Sequence, residues 1–149
     1  MIQIPLREAV NSARLPGVPL ILSEVVAELA DVANTQQISA FGFAIGRRLA
    51  ARVQLDQVFD LEDLEHHLNR LWRDLDLGET RLQADDAALV AKHDPRTMRP
   101  DLLIPAARPF LLELLRGTFD TCFKSLGSAP GVQTRAVWNG SLIEIRHGG

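Results

Sequence analysis

Two glycines inside an otherwise good helix narrow the folds open to this chain. The stretch ISAFGFAIGRRLAARV, residues 38–53, carries apolar residues at helical spacing. Yet Gly42 and Gly46 stand on its apolar face, with Ala50 one further turn along. Glycine in a helix interior is disfavoured by about 1 kcal/mol relative to alanine. A helix that accepts this twice on one face gains from the missing side chains, which let another backbone come close. Gly42, Gly46 and Ala50 are therefore the predicted helix-packing or subunit interface. Their partner is either a helix of the same domain or one of a second copy of the chain. The chain has more broad apolar stripes than one small sheet can cover, which favours a homo-oligomer.

The remaining periodicities place this helix, predicted over 37–53, in a larger order. A helix over 20–33 precedes it, with Leu22, Val25, Val26, Leu29, Ala30 and Ala33 on one face. A third helix starts at the N-cap Asp60 and buries Leu61, Leu64, Leu68, Leu71, Trp72 and Leu75 before Gly78 stops it. The period then changes. ETRLQA and ALVAKH flank a turn at Asp85-Asp86 and read as a hairpin. HDPRTMRPD is a loop, and a long helix follows over 103–126, with Pro105 and Pro109 near its start. Last come VQTRAVW and SLIEIRH around Asn139-Gly140, the strongest short hairpin signal. The expected fold is α+β, with N-terminal helices, two antiparallel hairpins forming a small sheet, and a long helix between them. Residues 1–19 read as an N-terminal arm in which IQIPL is extended, and 20–149 as a single α+β domain. No internal repeat is expected.

Composition and motifs exclude more than they assign. A net charge of −3 gives no basic footprint for nucleic acid. Cys122 is the only cysteine, so no internal disulfide forms. No apolar run reaches the length of a membrane span. LPGVPLILSEVVAELA is too broken by proline, glycine and Glu24 for a signal peptide, so a cytoplasmic location is expected. No P-loop, GxGxxG, GxSxG, HExxH or CxxC is present, and no catalytic residue, metal ligand or cofactor site is assigned. Glu62 with His66 and Asp63 with His67 could hold a metal or move protons, but read more simply as a solvated helix face. Asp85-Asp86 reads as turn chemistry, Arg47, Arg48 and Arg52 as a wet helix face, and Cys122 and Trp72 as core. Trp138 stands at a strand end and is a candidate sugar-stacking platform, or is covered by a neighbouring element.

IGRRLA, DLEDLEHHLNRLW, GETRL, LVAKHDP and LLRGTFDTCFKSLGSAP occur in an order that resembles the D subunit of bacterial cellulose synthase. The matching positions are Gly46 and Arg47, Leu68 and Asn69, Gly78, His93, and Gly117 with Phe119. Leu77 stands where the family has Trp, Arg116 where it has Glu, and Phe119 where it has Tyr. The resemblance implies a small α+β protomer that is not an enzyme. It further implies an octamer built from dimers, a scaffold within the cellulose synthase complex that helps glucan chains leave and crystallise. Partners would be further copies of the chain, other subunits of the complex at the inner membrane, and glucan chains. No glucan-binding residue carries over. A vinyl-reductase type of small-molecule-sensing domain has a similar order of elements and is the alternative, although the cysteines common in its last hairpin are absent from residues 130–149.

Overall fold

In the computed structural model, residues 17–96 and 104–149 are described. Helix α1 spans Gly17–Val32 and α2 spans Thr35–Ala50. Asn34 sets the start of α2 through a capping box: its side chain accepts from the Gln37 amide at 2.8 Å, and its own amide donates to the Gln37 side chain at 2.9 Å. A short 3-10 turn, Leu55–Gln57, leads to α3, Leu61–Leu75, whose N-cap Asp60 accepts from the Asp63 amide at 2.7 Å. Strands β1 (Glu79–Ala84) and β2 (Ala88–Asp94) follow, then α4 (Ala107–Ser125), β3 (Thr134–Asn139) and β4 (Leu142–Gly148).

The α+β order of elements is as expected from the sequence, and several boundaries shift; α2 runs Thr35–Ala50 rather than 37–53. Helix α1 begins at Gly17, inside the expected arm, because a proline in a first turn loses no hydrogen bond and Pro19 fits there. The long helix begins at Ala107 rather than 103, with Pro105 left ahead of it. The second turn centres on Gly140 and Ser141, since Asn139 pairs with Leu142. The expected extended segment IQIPL and residues 97–101 of the HDPRTMRPD loop lie outside the described residues.

The two hairpins join through β2 and β4 into one antiparallel sheet of order β1-β2-β4-β3. Thr80, Leu82, Leu89, Ala91, His93, Ile143, Ile145, His147, Thr134, Ala136 and Trp138 share the face toward the helices, as the two-residue period requires. Helices α3 and α4 lie on that face, and α2 packs along the opposite side of α4. Helix α4 is thus covered on two sides. Its buried residues accordingly run almost around it, from Phe110 and Leu111 to Cys122 and Phe123.

The hairpins are also a repeat that the sequence reading missed. TRLQADDAALVAKH, residues 80–93, and TRAVWNGSLIEIRH, residues 134–147, each begin Thr-Arg and end in a basic residue and His. Both place the Thr directly opposite the His: Thr80 pairs with His93, and Thr134 with His147. The apolar residues between differ so much that only the ends carry the signal.

Candidate functional site

The small-residue stripe of α2 faces α4 of the same chain. A β-carbon at Gly46 would overlap the carbonyl oxygen of Leu114 and lie 2.9 Å from the Thr118 amide nitrogen. At Gly42 it would stand 2.7 Å from the Phe110 carbonyl oxygen. Helix α4 answers with Gly117, where a β-carbon would overlap the Phe43 carbonyl oxygen. The Thr118 hydroxyl sits at the crossing, shared between the Gly46 carbonyl at 3.1 Å and that of Leu114 at 2.9 Å. Ala50 is buried at the end of the stripe. Gly117 as the counterpart was missed because a single glycine in α4 forms no stripe.

Helix α3 closes the free edge of β1. Glu65 and Asn69, one helical turn apart, meet alternate residues of the strand. The Asn69 side chain donates to the Thr80 carbonyl at 2.8 Å and accepts from the Thr80 amide at 2.7 Å, as a neighbouring strand would. Glu65 accepts from the Leu82 amide at 2.8 Å. Edge groups left open invite pairing with other chains, so this cover also blocks a sticky edge.

Below that edge lies the first Thr–His pair. The Nε2–H of His93 donates to the Leu77 carbonyl at 2.7 Å, since a carbonyl only accepts. Nδ1 is then the acceptor, taking the Thr80 hydroxyl at 2.8 Å, while the Trp72 indole donates to Thr80 Oγ1 at 2.9 Å. Trp72, Thr80 and His93 are all fully buried. Burial pushes the His93 imidazole down to about 4, against the opposing pull of its bond to Leu77 and of Asp94. His93 is therefore a neutral structural group.

The second pair has different neighbours. Thr134 Oγ1 donates to Asp120 Oδ1 at 2.9 Å. A carboxylate only accepts, so the hydroxyl proton is committed and Thr134 must accept from His147 Nδ1–H at 2.7 Å. Nε2 then carries the lone pair and takes the Ser128 hydroxyl at 2.6 Å. Lys124 Nζ pairs with the same Asp120 oxygen, Oδ1, at 3.1 Å. Burial lowers the His147 pKa, Asp120 works against this, and Lys124 adds to it. The Phe123 ring lies 4.9 Å from the imidazole, centroid to centroid.

The other sequence candidates fall apart in space. His66 and His67 stack edge to face at 5.8 Å. Among the described residues no three metal-ligating side chains converge. Glu62 and His66 instead line a polar cleft of about 470 Å³ between α3 and the start of β1, with Arg73, Glu79 and Arg96. Asp85 accepts from the Ala87 and Ala88 amides at 2.9 and 2.6 Å, which hold its carboxyl below the usual range, and it pairs with Arg146 at 3.0 Å. Arg47, Arg48 and Arg52 are exposed at the end of α2. Burial pushes the Cys122 thiol up to about 12, which makes it unreactive. Trp138 is half-buried beneath the Arg108 guanidinium, 4.9 Å above its ring, and its indole donates to the Arg108 carbonyl at 3.4 Å.

The family model for the D subunit of cellulose synthase matches residues 11–145. The chain belongs to this family. No curated protein matches the chain. The three departures from the family pattern have local accommodations. Leu77 is buried and lends its carbonyl to His93. Arg116 pairs with Glu113 at 2.7 Å and covers the Phe43 ring at 4.4 Å. Phe119 lies fully buried between Trp72 and Phe123, where no hydroxyl is needed. Among the described residues no helix is long and apolar enough to cross a membrane.

Proposed function

We propose that the chain is an accessory component of the cellulose synthase complex, without a part in polymerisation. It acts as a homo-oligomeric scaffold, an octamer built from dimers, that organises glucan export and crystallisation from the cytoplasmic side of the inner membrane. The observation that carries the oligomer is an apolar stripe left open on α1. Ile21, Val25 and Val32 are 63%, 42% and 80% exposed and recur at helical spacing. Leu20 and, on α2, Phe41 extend the exposed apolar surface. Surface of this kind on a water-facing helix marks a contact with another protein. A sensing domain would need a ligand cavity between long helix and sheet, and there Phe119, Phe123, Ile143 and Ile145 belong to one packed core.

Glucan contact, if made through Trp138, uses the ring face away from Arg108 or displaces that side chain. Light scattering of the purified chain tests the scaffold. A mass near eight protomers is expected, with Val25→Glu giving smaller species that stay folded. A monomeric wild type would overturn the reading.

A further inference from the structure

The two Thr–His pairs differ in what the outer imidazole nitrogen meets. His93 ends on a carbonyl, so its Nε2 is a spent donor. His147 Nε2 is a lone pair facing the Ser128 hydroxyl at 2.6 Å, because Asp120 at the far end orients Thr134 and so the imidazole; the same hydroxyl lies 3.4 Å from the Ala129 carbonyl, a longer and weaker alternative. A hydroxyl on a histidine whose other nitrogen is oriented by a third group is the arrangement that activates a nucleophile. Ser128 is half-buried. It also lines a mainly apolar groove of about 420 Å³, with Val58, Leu64, Leu89, Phe123 and Leu126, and with Asp60 as its one charged residue.

We propose that Ser128 is a nucleophilic serine that takes up acyl groups from activated esters of short apolar acids, with His147 as its general base. Thr134 and Asp120 are positioning residues. The groove receives the acyl chain. The amides of Gly127 and Ser128 are already bonded to the Lys124 and Phe123 carbonyls, at 3.2 Å each. They give an oxyanion no help, so the substrate is an ester or thioester with a good leaving group, not an amide.

As Ser128 Oγ bonds to the acyl carbon, its proton passes to His147 Nε2. The bond to the leaving oxygen or sulfur then breaks, and the imidazolium returns the proton to the leaving group. Release reverses the roles. His147 takes a proton from water, the hydroxide oxygen bonds to the acyl carbon, the bond to Oγ breaks, and Oγ regains a proton from His147. The inference does not rest on the scaffold reading.

The test incubates the full chain with p-nitrophenyl butyrate, following phenolate release and locating butyryl groups by intact and peptide mass. The expected result is one butyryl group per chain on Ser128, formed in a burst. Ser128→Ala abolishes it, and His147→Gln slows it by about 100-fold, the usual scale for a general base. Thr134→Ser keeps the rate while Thr134→Val loses it, a rescue that a packing role for Thr134 would not produce. Circular dichroism checks the fold of each variant. Should His147→Gln fail to fold, Ser128→Ala and the Thr134 pair decide. No adduct, an adduct elsewhere only, or release unchanged in Ser128→Ala or His147→Gln overturns the proposal.

Discussion

The first hairpin turns its Thr–His pair into a sealed clasp, and the second leaves the same pair in contact with charge and with the surface. Around His93 every polar atom is answered by a group that the fold holds still: an indole, a hydroxyl and a main-chain carbonyl. Around His147 the answers come from a side-chain network, Asp120 with Lys124, and from Ser128 beyond the end of α4. The edges differ in the same sense. Glu65 and Asn69 cover β1, whereas on β3 Arg116 reaches the Thr134 carbonyl at 3.5 Å. One cross-strand pair thus serves rigidity where its third partner is buried and carries reactivity where its third partner is half-exposed.

The largest expected effect is on His93 itself. His93→Ala leaves a cavity, an unanswered carbonyl at Leu77 and a stranded Thr80 hydroxyl, which should destabilise the fold by about 4 kcal/mol. His147→Ala should destabilise it by about 2 kcal/mol, because Ser128 can turn to water. Urea unfolding of both variants measures the gap. Equal losses would break the contrast between the clasps.

Acid should reach the first clasp next. The folded His93 imidazole titrates near 4 and the unfolded one near 6.5, so below pH 6.5 the unfolded chain binds the extra proton. Stability from this group is full above that pH and falls by about 1.4 kcal/mol per unit between 6.5 and about 4. His147 is shifted the same way and adds to the slope in the same direction. In His93→Gln the slope of unfolding free energy over this range should flatten markedly, measured by urea titration at several pH values. An unchanged slope would mean that the clasp admits a proton.

The hydroxyls come third. Thr80→Val sets a methyl against the Trp72 indole N–H and the His93 lone pair, both buried, and should destabilise by about 2 kcal/mol. Thr134→Val should lose about 1 kcal/mol, since Asp120 keeps Lys124. Thermal unfolding separates the two.

How much of this was legible follows from which residues signal alone. Gly42 and Gly46 stand out in the sequence because two glycines recur at one helical spacing on an apolar face. The helix they meet does not, because Gly117 stands alone in α4 and its role depends on a three-dimensional crossing. The α+β order was legible from the change of period at Glu79 and from the turn residues. The paired Thr and His were in plain view at the ends of both hairpins. They carried no weight because a buried histidine looks like any other until its register partner is known. Ser128 opens a stretch, SAPG, whose composition reads as linker, and only the return of β4 brings His147 to it.

The smallest expected effects lie at the covered edge, and they probe whether α3 acts as a substitute strand. Asn69 makes two bonds to one residue of β1, at 2.8 and 2.7 Å, and Glu65 makes one, at 2.8 Å. These groups are part-buried, so each lost bond should cost about 1 kcal/mol or less. Asn69→Ala should therefore destabilise slightly more than Glu65→Ala. Stability alone does not separate a substitute strand from ordinary side-chain packing. Amide exchange does, because a ladder position protects one N–H at a time. Asn69→Ala should speed exchange at Thr80 and spare Leu82, and Glu65→Ala should do the reverse, with Lys92 and Ala91 across the β1–β2 ladder unchanged in both. If either variant loosens both amides together, α3 holds β1 through its packed face, and the resemblance to a strand partner is only geometric.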